Sequence, residues 1–202
     1  MSLVIGRGYS VNEYARNKMR RCAKQNFTFG VNDAALDFPC DIVVALDAEW
    51  IKENRAALLK LDRPIITREW DCLKDLGLDL ITLPHSIVEY CRLSGMAAAK
   101  ISDGMSEALH MPSHVVGLDA THGHYDRKER DGIPPDEAVE LKDYERLNCL
   151  NTVNLGIASR ITCWPKSTQL PFADKPSIQD KQCGELFVRM AARRLISKGI
   201  NI

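Results

Sequence analysis

Leu3-Val4-Ile5-Gly6-Arg7-Gly8-Tyr9-Ser10 is the stretch whose reading decides the fold. A short apolar run passes without a spacer into small and polar residues, and the pattern recurs where a second apolar run ends in Gly30-Val31-Asn32-Asp33. Two successive strands that both stop in small, flexible, polar residues imply a sheet holding a ligand at its carboxyl edge. Gly6 and Gly8 allow the backbone to approach an anion with its N–H groups. Ser10 is placed to cap a helix from Val11 to about Gln25, on which Val11, Tyr14, Ala15, Met19 and Cys22 recur near helical spacing. The positive end of that helix would face the anion. Alone, the turn reads equally as a tight β-to-α connection without a ligand. A dinucleotide fingerprint needs a further small residue three places after the second glycine, and Val11 stands there, which argues against an ordinary dinucleotide binder.

The rest of the chain repeats the alternation. Asp41 to Leu46 is almost purely apolar, as a strand covered on both faces must be. It ends in Asp47-Ala48-Glu49-Trp50, and a helical pattern continues to about Leu61. A strand over 64–67, a short helix over 69–76 and a strand over 80–83 follow. Next come a small-residue helix over 94–109, a strand from His114 to Leu118 that ends at Asp119, a helix over 136–150 and a strand near 152–155. Strands alternating with helices through short connections predict an α/β fold, a three-layer sandwich on a mostly parallel sheet. The 202 residues fit a single domain, with a helical appendage at 177–202 as an alternative beyond the Pro-containing stretch 165–176.

Composition narrows the function classes. With 27 basic and 27 acidic residues the formal net charge is zero, so no global field draws the chain to nucleic acid or to a membrane. No apolar run reaches membrane-spanning length and no signal-peptide pattern precedes Gly6, which predicts a cytoplasmic protein. The seven cysteines form no CxxC pair, which excludes zinc-ribbon and thioredoxin-type sites and leaves reduced, buried thiols.

After Asp119 the chain turns polar through Thr121-His122-Gly123-His124-Tyr125-Asp126, a stretch too long to be a mere turn. His122 and His124 are candidate general acids or bases near neutral pH, or solvent-exposed loop residues. The same residues match the HxHxD core of metallo-β-lactamase-fold hydrolases. Against that rival, Arg127 stands where those enzymes have a further histidine, none follows His124, and the preceding architecture is parallel α/β.

Taken in order, the segments VIGRGYS, FTFGVNDAA, DIVVALDAEW, SGMAAAK, VVGLDATHGHYD and ERLNCLN resemble a superfamily of Rossmann-like transferases. It includes archaeal-type 6-hydroxymethylpterin diphosphokinases, uncharacterised phage and bacterial proteins and, more distantly, bacterial sialyltransferases. The likeness spans about Val4 to Leu155, with Tyr9 where the family favours proline. It implies that Gly6, Gly8 and Ser10 contact nucleotide phosphate or ribose, that Asn32 and Asp33 lie beside the nucleotide, and that Ser94 and Gly95 close over it. Asp119 would face the cleft. Asp47, with Asp119, would help hold Mg²⁺ in a diphosphokinase, and Arg7 would add positive charge. In a sialyltransferase-like reaction His122 or His124 would deprotonate the acceptor while Tyr125 steadies the departing phosphate.

Caps compete with several of these roles, since Asn32-Asp33, Asp47 and Ser94 each stand where a helix begins. The expected function is a nucleotide- or nucleotide-sugar-dependent transferase acting on a small-molecule donor and acceptor, with glycosyl transfer favoured over Mg²⁺-dependent diphosphoryl transfer. The remaining alternatives are a non-catalytic nucleotide-binding or interaction module and the metallohydrolase.

Overall fold

The computed structural model describes residues 1–83, 91–110, 112–119, 137–157, 159–172, 182, 185, 186, 188 and 189. Among the described residues seven strands form one sheet: β1 (Ser2–Ile5), β2 (Phe27–Val31), β3 (Ile42–Val44), β4 (Ile65–Arg68), β5 (Leu80–Leu83), β6 (Ser113–Val116) and β7 (Thr152–Asn154). Their spatial order is β5-β4-β3-β2-β1-β6-β7, and every pairing is parallel. This is the expected three-layer α/β sandwich. The chain winds outward from β1 to β5, then returns to place β6 on the other side of β1, so the order reverses between β1 and β6. At such a reversal the following connections leave for opposite faces, and the carboxyl edge can hold a ligand.

The central strands are buried throughout because both faces are covered. One face carries Val4, Phe27, Phe29, Val31, Val44 and Val115 against α5 (Ser94–Leu109), with Tyr144 and Leu147 at the end of α6 (Glu137–Arg146). Phe27 and Phe29 pack edge to face, with ring centroids 5.3 Å apart. The other face splits in two. Leu3, Ile5 and Val116 pack on α1 (Arg16–Gln25), while Val43, Ala45 and Ile65 pack on α3 (Ala48–Glu53) and α4 (Arg55–Leu61). A one-turn helix, α2 (Asp33–Asp37), follows β2 directly.

Alanines 97–99 are buried, which lets α5 lie close across the sheet centre. Its far end is fixed by hydroxyls: Ser102 lies 2.8 Å from Ser2 Oγ and 2.7 Å from Ser113 Oγ, and the buried Asp103 accepts from the Asn151 N–H and the Thr152 hydroxyl. The β7 edge is covered, since the Asn154 N–H donates to Pro165 O and the Ser167 N–H to Asn154 O. In the C-terminal stretch Val188 is buried in the same apolar cluster as Ile81 and Leu83, and Arg189 pairs with Asp79 at the start of β5.

Several element limits differ from the sequence reading. The helix expected from Val11 is a 3-10 turn over Tyr9–Glu13, and α1 starts only at Arg16. Ser10 is therefore not its cap. The preceding residue, Ala15, has no side-chain acceptor to offer. The helix expected through Leu61 breaks at Asn54, whose amide side chain donates to Trp50 O and holds the bend between α3 and α4. The helix expected over 69–76 shrinks to a 3-10 turn at Asp71–Leu73.

Candidate functional site

The loops after β1, β6 and β7 interlock. Beyond the strand ends the Gly6 N–H donates to Val116 O at 2.8 Å and the Gly8 N–H to Gly117 O at 2.7 Å, so the β1–β6 ladder continues through the glycine turn. The Gly6 and Gly8 N–H groups are thereby bound inside the protein. The glycines are required for a different reason than anion approach. A Cβ on Gly6 would fall inside contact distance of Gly117 O, one on Gly8 would meet Asp119 Oδ2 at 2.5 Å, and one on Gly117 would meet Gly6 O at 2.5 Å. Gly117 also holds φ at +72°, a conformation open to glycine.

Ser10 and Asp119 lock this arrangement. The Ser10 N–H donates to Asp119 Oδ2 at 2.6 Å, its hydroxyl donates to Asp119 Oδ1 at 2.5 Å, and the same hydroxyl oxygen accepts from the Gly117 N–H at 2.9 Å. Both carboxylate oxygens are engaged, and Asp119 is 5% exposed. Burial pushes its pKa above the usual carboxylate range, and the two Ser10 bonds oppose that shift only in part. From β7, Gly156 packs on Ser10, the Ile157 N–H donates to Glu13, and Tyr14 donates to Leu155 O. Ser159 adds a hydroxyl bond to Leu118 O.

The ends of β2, β3 and β4 are built differently. Asn32 sits at φ +48°, ψ −127°, in the sharp turn between β2 and α2. A non-glycine residue there is strained, which persists only where the surroundings impose it. The imposing contacts are visible: the Asn32 N–H donates to Val44 O at 3.2 Å, and a Cβ on Gly30 would lie 2.7 Å from the Ala35 Cα, so α2 is pressed against the strand. Among the described residues the side-chain Oδ1 of Asn32 is buried with no hydrogen-bond partner. Next to it Asp33 accepts from Trp50 Nε1 at 3.0 Å and forms an ion pair with Arg7, bridging the ends of β1 and β2 to α3.

Leu46, just beyond β3, is held at both ends of its backbone. Its N–H donates to Ser94 Oγ at 2.9 Å, and its carbonyl accepts from Trp70 Nε1 at 3.3 Å. Ser94 therefore brings the start of α5 to the carboxyl edge, where Gly95 packs on Leu118. Among the described residues that helix start has no side-chain cap, and its first turn carries no acidic residue, which leaves its positive end suited to an anion. At the end of β4, Thr67 Oγ1 and Arg68 Nε are also buried without partners among the described residues.

Asp47 caps α3: its Oδ1 accepts from the Glu49 N–H at 2.9 Å, and the residue is exposed. The notion that Asp47 and Asp119 share one Mg²⁺ is corrected by the strand order. β3 and β6 are separated by β2 and β1, hence by three strand spacings of roughly 14 Å. Ligands of one Mg²⁺ sit about 2 Å from the ion. Among the described residues no group of three or more His, Cys, Asp or Glu side chains is placed to hold a metal. His122, His124 and Tyr125 lie outside the described residues.

Of the residues singled out by sequence, Arg7 and Asp33 come together at the β1–β2 ends with Asn32 next to Asp33, while Ser94 bonds the end of β3 through Leu46 and Gly95 packs at the end of β6 on Leu118. Gly6, Gly8, Ser10 and Asp119 form the neighbouring brace. Trp50, Arg68, Trp70 and Gly117 were not anticipated as parts of this edge. One signal was readable: Gly30-Val31-Asn32-Asp33-Ala34-Ala35 places small residues two before and two and three after Asn32, the spacing of a strained strand-to-helix elbow.

Among the described residues no helix is long and apolar enough to cross a membrane. Four of the six described cysteines are buried, and burial raises the thiols of Cys22 and Cys91 to about 11 and of Cys149 to about 12. No protein-family model, no curated protein and no solved structure matches the chain.

Proposed function

We propose that this chain binds a nucleotide or nucleotide-activated donor at the carboxyl ends of β2 and β3 and transfers a group from it, with glycosyl transfer the favoured reaction. Asn32 carries the proposal. A strained backbone and a buried acceptor without a donor both cost stability, the second by about 1–3 kcal/mol. A ribose hydroxyl or a base amino group would supply the missing donor.

The surroundings suit the anionic part of such a ligand. The uncapped start of α5 faces the same edge through Ser94, and Arg7, paired with Asp33, lies at the neighbouring end of β1. The helix start favours the negative charge that develops on a leaving phosphate. In this reading Asp119 is a positioning residue, since its two oxygens hold Ser10 and so fix the β1 loop. His122 or His124 would take the proton of the acceptor hydroxyl, with Tyr125 at the departing phosphate, as the family resemblance implies. No step is routed through Mg²⁺, because the Asp47–Asp119 pair does not fit it.

The test is a thermal-stability panel of nucleotides and nucleotide sugars, with and without Mg²⁺, on the wild-type protein and Asn32→Ala. A ligand at a hundred times its Kd should stabilise the wild type by about 2.7 kcal/mol and leave Asn32→Ala nearly unmoved. Stabilisation by cytidine nucleotides without Mg²⁺ supports glycosyl transfer, and stabilisation by ATP only with Mg²⁺ transfers support to diphosphoryl transfer. If no nucleotide or nucleotide sugar shifts the wild type under either condition, the proposal fails.

A further inference from the structure

Resting on the nucleotide reading of the β2 end, we infer that Arg68 at the end of β4 binds a second phosphate, so that the ligand class is a nucleoside diphosphate or its ester. Arg68 is a cation whose hydrogen-bonding needs are unmet among the described residues. Arg68 donates one guanidinium bond, Nη2 to Arg92 O at 2.8 Å, while its Nε is buried without a partner. Among the described residues no carboxylate pairs with it, in contrast to Arg7, which is held by Asp33, and Arg92, which is held by Asp143. A guanidinium offers five donors in a planar fork suited to phosphate, and a desolvated donor left empty is costly.

Its location supplies the second part of the argument. Arg68 ends a strand two places from β2, at about 10 Å by strand spacing, with β3 between them. The Arg92 carbonyl that holds Arg68 lies two residues before α5, so the guanidinium stands beside the same positive helix start that Ser94 brings to Leu46. Trp70 walls this side of the edge: its indole N–H is pinned to Leu46 O, and the residue remains 39% exposed. A ligand anchored at Asn32 and extending over β3 would reach Arg68 with a group beyond its first phosphate.

Calorimetric titration of the full chain with CMP, UMP, AMP, GMP and the matching diphosphates tests this. Wild type should bind the diphosphate of its preferred base about tenfold or more tightly than the monophosphate. Arg68→Gln should erase that preference while keeping monophosphate affinity, Arg68→Lys, which keeps the charge and loses the planar fork, should retain only part of it, and Asn32→Ala should weaken both ligands. Thermal melting of each variant without ligand checks that it is folded. A wild type that binds mono- and diphosphates equally, or an Arg68→Gln protein that keeps the preference, overturns the role of Arg68 and leaves the nucleotide reading standing. A wild type that binds neither class overturns both.

Discussion

Two halves of one sheet edge follow opposite rules. Over β1, β6 and β7 the loops are bonded to one another: glycine packs on glycine, Ser10 makes three bonds, and Asp119 gives both oxygens to Ser10. Over β2, β3 and β4 a strained asparagine, three buried polar atoms without partners and a half-exposed tryptophan stand in a row. The first half is finished as protein, and the second has bonds left to make. Glycine-rich sequence alone does not distinguish these conditions, because a glycine can be required for approach to a ligand or for approach to another loop.

The largest effect should come from breaking the finished half. Gly6→Ala would drive a methyl group into the Gly117 carbonyl and the end of the Leu118 side chain; the leucine can shift, but the backbone carbonyl cannot yield without moving the loop. Overpacking of that kind costs about 1–3 kcal/mol, and the loss of the Gly6 and Gly8 N–H bonds adds about 1 kcal/mol each. Chemical denaturation should show a loss of about 3 kcal/mol or more. A loss under about 1 kcal/mol would mean that the two loops do not pack as described.

Asp119→Asn should cost less, about 1–3 kcal/mol, since an amide can replace only one of the two acceptor oxygens facing Ser10. Its pH dependence carries the sharper information. Burial raises the Asp119 pKa in the folded state above its value of 3.8 in an unfolded chain, so the folded state holds the proton more tightly. Wild-type stability from this group is then greatest below 3.8 and declines as pH rises through the folded pKa. The penalty of Asp119→Asn should accordingly be largest in acid and shrink toward neutrality. A penalty that grows with pH would show that Ser10 stabilises the carboxylate more than burial opposes it.

The difference between the halves also explains what could be read from sequence. The apolar run over residues 42–44 marks a fully buried parallel strand, the run over 80–83 a half-buried one, and the small-residue pattern of 94–109 a helix; all three follow from local chemistry. Ser10 could not be read correctly, because its partners Gly117 and Asp119 lie more than a hundred residues away and come near only when β6 inserts beside β1. Arg68 and Trp70 were silent for a similar reason. Nothing in Ile65-Ile66-Thr67-Arg68 says which strand lies beside it, and the relation of Arg68 to Asn32 exists only in the order β4-β3-β2. Asn32 itself was readable as a polar strand end, whereas its positive φ depends on how closely α2 is pressed onto Gly30.

Asn32→Gly makes the smallest change and opposes the two halves most directly. Glycine enters the φ +48°, ψ −127° region without a Cβ penalty and removes the unpartnered Oδ1. Relief of strain is worth about 1–3 kcal/mol, and the greater freedom of glycine in the unfolded chain takes back about 0.5–1 kcal/mol. The net expectation is a protein more stable by about 1 kcal/mol that no longer binds nucleotide. At Gly6 adding a methyl group should weaken the fold, while at Asn32 removing the side chain should strengthen the fold and lose the ligand. Strained non-glycine backbone of this kind clusters at ligand clamps and active sites. If Asn32→Gly instead destabilises the protein in a denaturant titration, the asparagine belongs to the architecture in the same way as Ser10, and the division of this edge into a structural and a binding half fails at its most informative residue.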